Sequence, residues 1–129
     1  MSILLDTGVI VDHLRGRSEA AAALTRLRDA GVRPLGSVLT RTELVAGSRP
    51  HQERALSPLL RWISWIDVDQ AIADEAGRLI AGYRASHGGI DIVDYLIAAT
   101  ASISGGVLWT TNRRHFPMLG ALPDPYEPA

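Results

Sequence analysis

The chain has 129 residues, of which 47% are hydrophobic and 21% are charged, and its formal net charge is −1 at pH 7. This composition predicts one globular domain over residues 1–129 and excludes both an intrinsically disordered chain and an overall basic surface. Because cysteine is absent, a disulfide framework and a thiolate zinc site are also excluded, which fits a reducing compartment such as the cytoplasm.

Short apolar runs alternate with helical patterns along the chain. The sequence predicts strands at residues 2–5, 33–36, 65–68 and 107–109. It predicts helices at residues 9–14, 19–30, 40–46, 51–63, 70–86 and 92–103. The proline-rich tail, residues 123–128, is expected to be irregular. Strands separated by helices indicate an α/β fold with a mainly parallel sheet and helices on both faces.

The first apolar run is short, since Asp6 interrupts it, and no positively charged region precedes it. We therefore expect no signal peptide. No stretch approaches 18 uninterrupted apolar residues, so no membrane-spanning helix is expected either.

Four polar residues adjoin apolar runs: Asp6 follows ILL, Glu43 follows SVLTRT, Asp94 precedes YLIAATA, and Asn112 follows VLWTT. Ligands of open α/β sheets bind beyond the carboxyl ends of the strands. Asp6 and Asn112 come just after such ends, and we expect Glu43 and Asp94 in the first turns of helices that begin there. Carboxylates gathered at one sheet edge are typical of a site for hard divalent cations.

Each of these residues also has a structural interpretation. Thr40 and Glu43 fit a helix capping box, and Asp91 with Asp94 fits an N-cap followed by an acid in the first turn. The other two polar residues can cap a helix or form a turn. Crowded carboxylates repel one another unless a cation lies between them, whereas serine or threonine caps helices without that repulsion. The joint pattern therefore favours a functional site.

Oxygen ligands favour Mg²⁺, for which Mn²⁺ can substitute, and both ions also bind phosphates. Such a cation would polarise a scissile phosphodiester and lower the pKa of an attacking water. The chemistry expected of this edge is metal-assisted phosphodiester hydrolysis.

The motifs ILLDTGVIVD, TRTELVAG, DYLIAATASISGG and LWTTNRRHF occur in this order between Leu4 and Phe116. This order resembles the PIN-domain ribonucleases, specifically the VapC-type toxins of toxin–antitoxin pairs. The resemblance implies a three-layer αβα sandwich, Mg²⁺-dependent RNA cleavage, inhibition by a VapB-like antitoxin and a toxin homodimer within the complex. Asp6, Glu43 and Asp94 match the acidic metal positions of the family. Asn112 falls where many members carry a fourth acid.

Several neighbours of these residues are secondary candidates. Thr7 and Thr110 place hydroxyls next to the acids and could orient ligands or water. Asp91 could position water as well as cap its helix. All 13 cationic residues are arginine, so any charged phosphate contact requires a guanidinium. The arginines best placed in the sequence for RNA are Arg15, Arg41, Arg113 and Arg114.

The histidines and tryptophans are weaker candidates. His13, His51, His87 and His115 lack metal-ligand spacing and are expected at surface or packing positions. Trp62, Trp65 and Trp109 fit core positions better than a base-stacking surface.

Three alternatives to a toxin stay open. A phosphotransferase or dehalogenase would need a lysine, which is absent, and the dehalogenase a second aspartate where Gly8 stands. A non-catalytic interaction module would use the acids only as caps. A housekeeping RNA-processing PIN nuclease would share the site but have no antitoxin. For an antitoxin, the small and apolar residues at 9–14 and 20–30 are the expected contact surface.

Overall fold

The computed structural model describes residues 2–126. Its single sheet has four parallel strands in the order β3-β2-β1-β4. They are β1 (Ile3–Leu5), β2 (Leu35–Ser37), β3 (Ser64–Ile66) and β4 (Val107–Trp109). The register places Leu5 opposite Trp109 and Ser37 opposite Ile66. All four carboxyl ends therefore lie at one edge of the sheet.

Six α-helices are present among the described residues. They are α1 (Thr7–Leu14), α2 (Ser18–Asp29), α3 (Val38–Gly47), α4 (Glu53–Trp62), α5 (Gln70–Tyr83) and α6 (Ile92–Ser104). Single 3₁₀ turns occupy Pro50–Gln52, Arg113–His115 and Pro117–Leu119. No helix within residues 2–126 is long and apolar enough to cross a membrane.

The side chains of β1 alternate between two helical layers. Ile3 and Leu5 are buried in a core formed with α1, α2 and α4, whereas Leu4 is buried against α6. This alternation follows from the two-residue repeat of an extended strand. Helix α5 packs on α6 through a third apolar cluster that includes Ile72 and Ala99. The expected three-layer αβα sandwich around a parallel sheet is confirmed.

Most boundaries lie close to those expected from the sequence. Strand β4 is confirmed at 107–109, and α6 ends one residue later than expected, where Gly105 adopts a φ of 72°. Strands β2 and β3 are shifted by one or two residues, α5 ends at Tyr83, and the helix expected from residue 51 begins as a 3₁₀ turn. The tail is irregular at residues 123–126, and its last residues lie outside the described part of the chain.

Helix α3 departs most from expectation, since it begins at Val38 directly after β2. Ser37 is its N-cap and accepts a hydrogen bond from the Leu39 N–H over 3.1 Å. The interpretation of Thr40 and Glu43 as a capping box was therefore wrong. The placement of Glu43 in the first turn was also wrong, because the earlier start of α3 moves Glu43 into the second turn.

Candidate active site

Asp6 stands at the junction of β1 and α1. Its Oδ1 accepts a hydrogen bond from the Thr7 N–H over 2.9 Å, so it caps α1, as its structural interpretation allowed. Its Oδ2 accepts a second bond, of 2.7 Å, from the Thr110 hydroxyl just beyond β4. The carboxylate is thus fixed across two adjacent strands, at the sheet edge where ligands bind in α/β folds.

Glu43 reaches the same edge from α3. Its Oε1 accepts a hydrogen bond from the Thr7 hydroxyl over 3.0 Å, and the Thr7 and Thr40 hydroxyl oxygens are 3.1 Å apart. Thr40 is fully buried, whereas Glu43 is exposed. A buried threonine and a partly buried one therefore support a carboxylate that remains open to solvent.

Asp94 lies in the first turn of α6. The N-cap of this helix is Asp91, whose Oδ1 accepts bonds from the backbone N–H groups of Val93 and Asp94. The capping interpretation is confirmed for Asp91. Because Asp91 performs that task, the Asp94 side chain is not needed as a cap and turns to another partner.

That partner is His115, which lies partly exposed at the surface, as expected, but whose contact with Asp94 the sequence did not predict. His115 Nδ1 is 2.9 Å from Asp94 Oδ2 and 2.9 Å from Asn112 Nδ2. A 3₁₀ turn brings the imidazole back over Asn112, and the buried Phe116 anchors that turn in the core. The three-residue spacing of NRRH is the sequence signal that could have indicated the turn.

The backbone of Asn112 is linked through Thr110 to Asp6, the acid that follows β1. Its N–H donates to the Thr110 hydroxyl over 3.0 Å, and that hydroxyl donates to Asp6. Thr110 is fully buried, so this link is shielded from water. The expected orienting role of a threonine next to an acid thus has a direct structural basis at Thr110.

The acids influence one another electrostatically. Burial raises the pKa of Asp6 above its usual 3.8, against the hydrogen bonds from Thr110 and Thr7, and the Asp94 charge raises it further. Burial and then the neighbouring Asp91 charge raise the pKa of Asp94, which Glu43 raises further while His115 lowers it. Because the Asp94 charge acts on Asp6 and the Glu43 charge acts on Asp94, these carboxylates are close enough to attract a cation together.

Within residues 2–126, no three acidic or histidine side chains converge as a preformed metal cage. Mg²⁺ does not require one, because it keeps several waters and is usually held by one or two carboxylates. Asp6 and Asp94 lie at the sheet edge, and the Asp94 charge raises the pKa of Asp6, so the two carboxylates match that donor set. The carboxylates at this edge therefore fit the coordination chemistry of such an ion.

The arginines expected to contact RNA are arranged unequally. Arg113 pairs with Asp124 over 3.1 Å and donates to the Leu122 carbonyl, whereas Arg114 is exposed beside it. Arg41 stacks over the Trp65 ring at 5.3 Å, and Arg15 lies in a groove next to Glu43.

That groove separates α1 from α3 and encloses about 220 Å³. Val11, Leu14 and Leu44 supply apolar surface, and Glu43 stands at its border. By contrast, the small residues Ala20 and Ala23 of α2 are fully buried in the domain's own core. The expected contact surface is thus retained at the end of α1, whereas in α2 Ala20 and Ala23 are unavailable to a partner and Ala22 is exposed.

The remaining histidines lie elsewhere: His13 is partly buried on α1, His51 is exposed in the 3₁₀ turn before α4, and His87 bonds to Ser86 beyond α5. All three tryptophans are partly buried and pack against the core cluster around β1, as expected: Trp62, Trp65 and Trp109.

Comparison with known sequences gives a consistent result. The model of the family described as PIN domain matches residues 3–120. The chain is 48% identical over 123 residues to "Ribonuclease VapC19" of Mycobacterium tuberculosis, covering 95% of this chain and 98% of that protein. It is 39% identical over 125 residues to "Ribonuclease VapC10" of the same species, covering 96% and 92%.

Solved structures show the same fold. A toxin–antitoxin complex from Klebsiella pneumoniae contains a chain that superimposes with a TM-score of 0.80 at 29% identity, covering 98% of this chain and 100% of that one. VapBC2 from Rickettsia felis, bound to a DNA fragment from its promoter, gives a TM-score of 0.78 at 22% identity, covering 95% and 96%.

Proposed function

The chain belongs to the VapC-type ribonucleases of the PIN-domain family, and we propose that it is a divalent-metal-dependent endoribonuclease, the toxin of a type II toxin–antitoxin pair. The observation that carries this proposal is that the segment after β4 contacts both acids at the carboxyl edge of the sheet, Asp6 through Thr110 and Asp94 through His115, and that the Asp94 charge raises the pKa of Asp6. The names of the similar proteins support ribonuclease activity.

We propose Mg²⁺ as the physiological ion and Mn²⁺ as a substitute, held by Asp6 and Asp94 with Glu43 as the third donor. When bound, such an ion supplies Lewis-acid polarisation of the scissile phosphodiester. Thr110 keeps Asp6 Oδ2 oriented, and Thr7 keeps Glu43 Oε1 oriented. The exposed position of Glu43 suits it to accept a proton from an attacking water.

RNA would approach this edge from solvent, where exposed Arg114 can contact backbone phosphates. Arg113 is held by Asp124, so its guanidinium is less available. Contacts of this kind recognise the backbone and not the bases, which is consistent with a site in which no base-reading motif was found.

As the partner, we propose a VapB-like antitoxin that binds in the groove between α1 and α3, with the toxin forming a homodimer in the complex and acting in the cytoplasm. Toxin–antitoxin complexes among the structural neighbours support this assignment over a housekeeping nuclease. An arginine of the inhibitor placed in the groove could pair with Glu43 at its border.

The test is cleavage of a 5′-labelled single-stranded RNA by the purified chain. We expect cleavage with Mg²⁺ or Mn²⁺, none with EDTA, and none by Asp6→Asn or Asp94→Asn in any buffer. Folding of both variants would be checked by circular dichroism. Cleavage that persists in EDTA, or in both variants, would contradict the proposal and return the acids to purely structural roles.

A further inference from the structure

A continuous set of hydrogen bonds connects the two acids at the centre of the site. Thr110 donates to Asp6 Oδ2 over 2.7 Å and accepts from the Asn112 N–H over 3.0 Å. The His115 N–H donates to the Asn112 carbonyl over 3.1 Å, and the His115 ring reaches Asp94 Oδ2 at 2.9 Å. The segment that follows β4 thus contacts both carboxylates.

His115 Nδ1 has two neighbours whose requirements are opposite. The Asp94 carboxylate only accepts hydrogen bonds, so the 2.9 Å contact requires a proton on Nδ1. The Asn112 amide nitrogen only donates, so its own 2.9 Å contact requires a lone pair on Nδ1. A single ring nitrogen meets one of these requirements at a time, and the other contact is then no hydrogen bond.

The charged acceptor should win, because a hydrogen bond to a carboxylate is roughly twice as strong as one between neutral groups. Asp94 is also the better shielded of the two partners, since 22% of its side chain is exposed whereas Asn112 is an exposed residue. With its Oδ2 engaged in this way, Asp94 retains Oδ1 for an ion.

We propose that His115 is a positioning residue that donates Nδ1–H to Asp94. Together with Thr110, which donates to Asp6, it fixes the two carboxylates for ion binding. Asn112 is then the alternative partner of the imidazole and not an ion ligand. The inference rests on the proposed ion site. It also gives Asn112 a role different from that of the fourth acid that many members of the family carry at this position. Hydrogen bonds to ligating carboxylates are a common means of orienting metal ligands.

The first experiment determines the tautomer of His115 without metal or RNA. Long-range ¹H–¹⁵N correlation spectra would be recorded at about pH 8, where a free imidazole is neutral. We expect the Nδ1–H form in the wild-type chain. In Asp94→Ala the carboxylate acceptor is absent, so the population of the Nδ1–H form should fall. The control, Asp91→Ala, removes a carboxylate from the same helix without touching His115 and should leave Nδ1–H. An Nε2–H ring in the wild-type chain would overturn the proposal.

The second experiment measures Mn²⁺ affinity by calorimetry in the absence of RNA. His115→Asn keeps an N–H donor at the δ position, whereas His115→Gln moves it by one bond. We expect Kd within about threefold of wild type for His115→Asn and at least about tenfold weaker for His115→Gln, the usual effect of losing such a partner. Asn112→Ala should stay within about threefold. Equal affinities for the two histidine variants, or a loss in Asn112→Ala as large as in Asp94→Ala, would overturn the proposal.

Neither readout uses RNA cleavage, so this inference and the proposed function can fail separately. A chain with the expected tautomer and Mn²⁺ affinities but without ribonuclease activity would contradict the proposed function alone. A chain that cleaves RNA and carries the Nε2–H ring would contradict the role of His115 alone.

Discussion

Glu43 accepts a hydrogen bond from the Thr7 hydroxyl over 3.0 Å, which joins the second turn of α3 to the first turn of α1. Thr7 follows Asp6 directly, so the same junction positions a carboxylate from each of two elements. Glu43 has no capping role in α3, because Ser37 caps that helix. Its placement is therefore explained by the site and not by helix stability.

The first prediction concerns this glutamate. Glu43→Gln keeps an oxygen that can accept from Thr7 but removes the charge, so we expect RNA cleavage to fall by about 10²–10⁴-fold, as when a proton acceptor is lost. Because the side chain is exposed, Tm should change by less than about 2 °C. Cleavage rates and thermal unfolding would be compared with Glu75→Gln, the same change on α5 away from the site. Unchanged cleavage by Glu43→Gln would exclude a role in the reaction.

The second prediction concerns the pH dependence of stability. Burial and the Asp91 charge raise the pKa of Asp94 above 3.8, so folding favours its protonated form. The stability that this provides is complete below pH 3.8 and is lost as the pH rises through the higher pKa of the folded state. In metal-free buffer, the advantage of Asp94→Asn over the wild-type chain in unfolding free energy should therefore grow from about pH 4 to pH 7.

Urea unfolding in EDTA across this range measures the effect, and Asp74→Asn on the exposed side of α5 is the control. Mg²⁺ should stabilise the wild-type chain at neutral pH through mass action and leave Asp94→Asn unaffected. A wild-type chain that gains stability over Asp94→Asn as the pH rises would refute the assigned direction of the pKa shift.

The third prediction concerns the C-terminal segment, which folds back on α1. The Tyr126 hydroxyl donates to Asp12 Oδ2 over 2.7 Å, Arg17 contacts the same oxygen at 3.4 Å, and the Tyr126 ring packs against the core. Tyr126→Phe should cost about 1.5–3 kcal/mol in the free energy of unfolding, the range for a hydrogen bond to a charged group. RNA cleavage should be unchanged, since this hydrogen bond joins Tyr126 to Asp12 and involves none of the three acids of the site. Denaturant unfolding with an unaltered m-value would measure the loss, and a cost near zero would mean that this bond does not hold the segment.

Much of this architecture could be predicted because its causes are local. The apolar run at residues 107–109 indicates β4. Gly105 marks the end of α6, since a residue in the left-handed conformation terminates a helix. Helix α3 was harder, because β2 passes into it without a loop and the buried Ser37 is at once the last strand residue and the cap. From the sequence alone, Thr40 was an equally good cap.

The sequence predicted the acids of the candidate site and the threonines beside them, but not the contact of Asp94 with His115. Asp6, Glu43 and Asp94 stood out because each adjoins an apolar element. The partner of Asp94 is 21 residues away in the chain, and a 3₁₀ turn brings it there. Neither the hydropathy pattern nor the spacing of the histidines indicates that these two residues meet, because the contact depends on the packing of Phe116 in the core.

The last prediction concerns the partner. The groove between α1 and α3 presents Val11, Leu14 and Leu44 and ends at Glu43, so a bound apolar segment would cover the entrance to the site. Expression of the chain alone should arrest growth, and co-expression of the small gene adjacent to it should restore growth. Leu14→Glu introduces a charge into the groove and should weaken inhibition at least tenfold while RNA cleavage is retained. Ile103→Glu, at an exposed position on α6, is the matched control and should still be neutralised. If Leu14→Glu is neutralised as fully as the control, the antitoxin binds elsewhere. If the wild-type chain is harmless in its native host without the partner gene, the toxin assignment is wrong, even where the nuclease assignment holds.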